Sequence, residues 1–133
     1  MNKLNGKIVL IESSAHMSMV DIDVDGDVFS SIVLETPSSA SYLKQGSPVT
    51  LLFKETEVSI AKNLSGLISL RNRFKATVKH IEKSAILSKI YLDHKGRTIV
   101  SIISTRSTQK LGLIEGDAVE WLVKTNEVSL CSP

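Results

Sequence analysis

A chain of 133 residues has room for one ordinary domain or two very small ones. Its 16 basic and 14 acidic side chains leave a formal charge of +2, so no broad single-sign field marks it for nucleic acid or an anionic membrane. A lone cysteine, Cys131, excludes a disulfide framework or cysteine metal cluster, and the start MNKLNGKIVLIES lacks a signal-peptide core or membrane-length run, so a soluble cytoplasmic protein is expected.

In MVDIDVDG, Val20, Ile22 and Val24 alternate with aspartates, the period of a half-buried strand. Asp25-Gly26 then reads as a tight hairpin turn, because glycine accepts the positive φ that such turns require. VFSSIVL is the next strand. TPSSASYL follows, with Thr36 as a cap and Pro37 at the first position of a short helical turn. QGSPVTLLFK reads as a turn feeding an apolar strand that ends in lysine.

The pattern then starts again. IESSA at Ile11 to Ala15 returns as IEKSA at Ile81 to Ala85, a shift of 81 − 11 = 70. The same shift carries Asp23 and Gly26 to Asp93 and Gly96, Leu43 and Gly46 to Leu113 and Gly116, and Glu57-Val58-Ser59 to Glu127-Val128-Ser129. Two copies of one module are therefore expected, with repeat cores at residues 4–60 and 74–130 and domains at 1–63 and 64–133. In the second copy Lys95-Gly96 is the hairpin turn, Ser107 is a candidate cap, and Gly112 is a helix terminator. About five short strands and one helical turn per copy fit an all-β fold of two tandem oligonucleotide-binding-like barrels with short helical turns. Such small barrels are filled by side chains, so binding is expected at loops or surfaces between modules.

Several motifs have simpler explanations. DIDVDGD, Asp21 to Asp27, fits the start of a calcium loop, but Ile32 stands where a bidentate glutamate is required and the flanks alternate as strands; a solvated hairpin is expected. His16, His80 and His94 fall on different elements, so no metal site is assigned. No nucleophile elbow or glycine-rich phosphate loop occurs, and no catalytic residue is assigned. Trp121, on an apolar strand, belongs to a core or interface rather than a base-stacking platform.

SLRNRF, Ser69 to Phe74, is different. Ser69, Arg71 and Asn72 offer a hydroxyl, a guanidinium fork and an amide, which suit a tetrahedral oxyanion that only accepts hydrogen bonds. STRSTQKLG, Ser104 to Gly112, adds hydroxyls and a short helical N-terminus, and Lys124 adds a cation at a strand end. In the first copy, Met1, Leu34 and Pro37 occupy the places of Arg71, Ser104 and Ser107, while Asn2 and Lys54 keep the identities of Asn72 and Lys124. One donor-rich site of this type per chain is expected.

The SxRN lead-in, IEKSA, the run Thr105 to Asp117 and WLVKTNEVSL together resemble the molybdate-binding Mop or TOBE domain, and the tandem resembles a di-domain molbindin. This resemblance implies non-enzymatic cytoplasmic binding of molybdate or tungstate, for storage, buffering or sensing, with sites between modules or subunits. It also implies a homo-oligomer, with a trimer ahead of a dimer or hexamer. By position, Ser69, Arg71 and Asn72 match the family's SARN segment, Ser104 and Ser107 its hydroxyl loop, and Lys124 with the Thr125 backbone its strand end. Lys83, Ser84 and Ala85 resemble a second, backbone-rich site. Leu70 and Ala76 stand where the family has alanine and glycine. The alternatives are the effector part of a molybdate-responsive transcription regulator and a nucleic-acid-binding barrel; no membrane or nucleic-acid partner is expected in the main reading.

Magnitudes favour several converging donors. Micromolar affinity needs about −8 kcal/mol, whereas one hydrogen bond to a charged group contributes roughly 1.5–3 kcal/mol. The junction hexapeptide cannot supply that alone.

Overall fold

Asp25 and Gly26 take φ of 50° and 91°, and Lys95 and Gly96 take 52° and 83°. Each pair closes a two-residue hairpin whose positive φ values match the twist of the flanking strands. In the computed structural model, which describes residues 1–133, these hairpins join β2 (Met17–Val24) to β3 (Asp27–Val33) and β7 (Leu87–His94) to β8 (Arg97–Ser104). DIDVDGD is thus a hairpin, with Asp21 accepting a hydrogen bond from the Ser30 hydroxyl at 2.7 Å.

The remaining strands are β1 (Asn2–Ser14), β4 (Pro48–Phe53), β5 (Ser59–Ala61), β6 (Asn72–Lys83), β9 (Ala118–Val123) and β10 (Ser129–Cys131). One α-helix, α1 (Thr105–Leu111), follows β8, and 3₁₀ turns occupy Glu55–Glu57 and Thr125–Glu127. No helix is long and apolar enough to cross a membrane.

The chain forms two compact units, Met1–Phe53 with Lys124–Pro133, and Lys54–Val123. The first contains the antiparallel sheet β10-β4-β1-β2-β3, and the second contains β5-β9-β6-β7-β8. The strand order is the same under the shift of 70, but each unit takes its fifth strand from the other sequence copy. In each sheet the outermost strands approach one another, β10 to β3 and β5 to β8, so the sheet curls into a nearly closed barrel.

A bulge makes that curl possible. The β1–β2 register shifts between Ile8 and Leu10, and the β6–β7 register shifts between Val78 and His80. At these points the Ile8 carbonyl accepts from Gly46 N–H at 2.7 Å and the Val78 carbonyl from Gly116 N–H at 2.8 Å. The strand bends there, pairing with β4 or β9 before the bulge and with β2 or β7 along and beyond it. Alternation buries Val20, Ile22 and Val24 with Phe29 and Leu51 in one unit, and Ile90, Leu92, Ile99 and Trp121 in the other. Trp121 is fully buried, with its ring 5.2 Å from Phe74 and 5.5 Å from His94.

Two local expectations change. Thr36 to Tyr42 forms turns rather than a helix: Ser39 and Ala40 N–H both donate to the Thr36 carbonyl, while the Ser39 hydroxyl accepts from Thr36 N–H at 2.9 Å. Such side-chain bonds compete with helical pairing. In the second copy Ser104, not Ser107, is the cap. Its backbone is extended at φ −64° and ψ 147°, and its Oγ accepts from Ser107 N–H at 3.0 Å. Gly112 ends α1 in the left-handed region, as its sequence position suggests.

Candidate functional site

The junction leading into β6 is fastened by two ion pairs within its unit. Arg73 forms a two-pronged contact with Glu120, Nε to Oε2 at 2.6 Å and Nη2 to Oε1 at 3.0 Å, and Nη2 also donates to the Leu64 carbonyl. Lys62 donates to Asp117 at 2.9 Å and to the Leu111 and Gly112 carbonyls at 3.2 Å. These contacts hold both carboxylates below their usual range: the Arg73 hydrogen bond is the main cause for Glu120, and the Ile114 N–H followed by Lys62 for Asp117. The two arginines of SLRNRF therefore divide their work. Arg73 ties the junction to β9, whereas Arg71 is exposed.

Asn72 is fully buried between them. It pairs in register with Val123, so Arg71 precedes one member of this pair in sequence and Lys124 follows the other. Ser69 is exposed beside Arg71. Lys124 is exposed at the head of the 3₁₀ turn, where its carbonyl accepts from Glu127 N–H at 2.9 Å, and Thr125 is half-buried.

A second group converges around Thr105. Its Oγ1 donates to the Ser84 carbonyl at 2.7 Å and meets the Ser88 hydroxyl at 2.8 Å, while its N–H donates to the Ile86 carbonyl at 2.8 Å. Thr105 thereby brings the Lys83-Ser84-Ala85 loop against the start of α1, next to Ser104 and Ser107. Lys83, Ser84 and Ala85 are all exposed. Ser69 and Arg71 take no part in this hydrogen-bond group.

The helix N-terminus offers fewer free donors than its sequence suggests. Thr105 N–H goes to Ile86 and Ser107 N–H to Ser104, and of the hydroxyls here Thr105 donates to Ser84 and Ser104 to Ser107. Thr105 itself is not among the site residues that the sequence points to. Its sequence signal is the repeated pair Ser18 and Ser88, both buried; Ser18 instead donates to the Glu35 carbonyl, at the first-copy position of Thr105.

Two curled five-stranded sheets define a tandem oligonucleotide-binding-like barrel protein, and Arg71, Lys124 and Ser107 are exposed on it. The TOBE domain profile matches residues 68–130. A solved protein described as the cytoplasmic molybdate-binding protein ModG, with molybdate bound, superposes at TM-score 0.93 and 29% identity over 99% of this chain and 96% of its own. A molybdate-binding protein from Sporomusa ovata is 40% identical over 50% of this chain and all of its own, at TM-score 0.50. The molybdenum import ATP-binding protein ModC of Brucella abortus (strain 2308) is 34% identical over 111 residues, 83% of this chain. The chain spans only 29% of that relative's length. It belongs to the molbindin family of tandem Mop/TOBE domains.

Proposed function

We propose that this chain is a cytoplasmic molybdate- or tungstate-binding protein that stores, buffers or senses the oxyanion without transforming it. The observation that carries this reading is the near-complete overlay on ModG, a protein solved with molybdate bound. The candidate donors fit the same chemistry. Arg71 and Lys124 supply positive charge, and the exposed Ser69 and Ser107 with the half-buried Ser104 supply hydroxyls to a dianion that has only acceptors. Asn72 anchors the arginine-bearing strand, the Thr125 backbone adds a donor beside Lys124, and Lys83, Ser84 and Ala85 form a second group of contacts.

In this reading the modules are residues 1–63 and 64–133, and the working form is a homo-oligomer, preferentially a trimer, whose neighbouring copies complete the donor sets. Titration calorimetry with molybdate, tungstate and sulfate, beside a gel-shift assay with single-stranded DNA, tests it. Saturable molybdate or tungstate heat and no DNA shift are expected. Tight DNA binding with no oxyanion heat would transfer the chain to the nucleic-acid-binding alternative.

A further inference from the structure

Against one face of α1 lies a cavity of about 300 Å³, lined by Ser59, Ile60, Ile103, Ser107, Lys110 and Leu111. The last residues of β8 and the short strand β5 form one side, and the helix forms the other. Ser107 and Lys110 are three residues apart on α1 and so share a face. Ser107 Oγ accepts the Ser104 hydroxyl at 2.9 Å, which leaves its own proton uncommitted. Lys110 is exposed, and no carboxylate lines the cavity. Polar side chains there are thus two hydroxyls and one ammonium, set among three apolar walls.

We propose that this cavity is an oxyanion subsite in which Lys110 supplies the charge, Ser59 and Ser107 the hydrogen bonds, and Ile60, Ile103 and Leu111 the preference for a large oxyanion over sulfate. The proposal deepens the molybdate reading and rests on it. Apolar walls strip water from the guest, and the cost of removing a dianion from water falls as its radius grows. Molybdate and tungstate therefore lose less than sulfate on entering, although all three carry the same charge and shape. The first copy provides an internal comparison. Pro37 and the buried Ala40 stand at the places of Ser107 and Lys110, and no helix forms there. The first unit lacks this donor arrangement.

The test uses the full chain, with sodium molybdate and sodium sulfate titrated into wild type, Lys110→Met, Ser59→Ala and Leu111→Ser, each checked for an unchanged thermal midpoint. Lys110→Met is expected to weaken molybdate binding about 10-fold, and Ser59→Ala by several-fold. Leu111→Ser should narrow the molybdate-to-sulfate affinity ratio. If Lys110→Met and Ser59→Ala both stay within about twofold of wild type while Arg71→Ala loses affinity, the subsite is refuted and the molybdate reading stands. Wild-type protein that takes up neither molybdate nor tungstate overturns both.

Discussion

Ser101 donates its hydroxyl to the Val58 carbonyl at 2.6 Å, with both residues buried. Val58 immediately precedes β5, the strand that completes the sheet of the second copy. Ser31 makes the matching bond to the Val128 carbonyl, just ahead of β10, at 2.5 Å. The two serines correspond under the repeat, so each third strand carries a hydroxyl that holds the segment arriving from the other copy. Ser101→Ala and Ser31→Ala each leave a buried carbonyl without this donor, at an expected cost of about 1–3 kcal/mol. Urea unfolding measures it. A midpoint equal to wild type in both variants would show that the serines do not fasten the exchanged strands.

Arg71 and Arg73 should separate affinity from stability. Arg73→Ala removes the two-pronged contact with Glu120 and the bond to Leu64, so the thermal midpoint falls. Arg71→Ala should leave that midpoint in place and weaken molybdate binding about 10- to 100-fold, the loss of one charged hydrogen-bond donor set. Lys124→Ala should behave like Arg71→Ala. Calorimetry on all three, paired with thermal melts, distinguishes them; equal molybdate affinity in Arg71→Ala and Lys124→Ala removes both from the site.

Much of this architecture is legible in the sequence because its causes are local. A dipeptide needing positive φ fixes each hairpin, and period-two alternation fixes which strand face is buried. The exchange of β5 and β10 is not legible, since Glu57-Val58-Ser59 and Glu127-Val128-Ser129 present the same chemistry to either sheet edge. Nor does parity separate Arg71 from Arg73, which lie two residues apart and would share a strand face. Only Glu120 across the ladder marks Arg73 as a fastener. Ser104 and Ser107 are similarly ambiguous as caps until the extended backbone at the end of β8 selects Ser104. The candidate donors can be named from their side-chain chemistry. The placing of the Lys83-Ser84-Ala85 loop beside Ser104 and Ser107, through Thr105, requires the fold.

Acid should loosen the junction in a defined window. Glu120 and Asp117 have folded-state pKa values below their ordinary ones. Their pairing therefore stabilises the fold fully above the unfolded carboxylate range, near pH 4, and the contribution is lost as pH falls through the lowered folded values. Both pairs are partly exposed, so the effect is modest and weakened by salt. Denaturation at pH 7, 5 and 3 should show Arg73→Ala less stable than wild type at the two higher values, with the gap closing at pH 3. A gap that persists undiminished at pH 3 would mean that Arg73 acts through packing rather than through the ionised Glu120.

At Gly6 the two copies differ in steric allowance. A Cβ there would lie 2.5 Å from the Asp23 carbonyl oxygen and 2.7 and 2.8 Å from Cγ2 of Ile22 and Val24. The oxygen belongs to the backbone of β2, which is held by its pairing with β1 and β3, so it cannot yield as a flexible side chain would. At the corresponding position of the second copy Ala76 carries a methyl group and is 9% exposed, so β6 and β7 accommodate what β1 and β2 exclude. Gly6→Ala is accordingly expected to destabilise by about 1–3 kcal/mol through overpacking. Ala76→Gly should cost less, roughly the 0.5–1 kcal/mol of added chain freedom in a strand. Equilibrium unfolding of the two variants side by side measures the difference. If Gly6→Ala is the milder of the two, the close approach of β1 and β2 does not limit packing in the first copy.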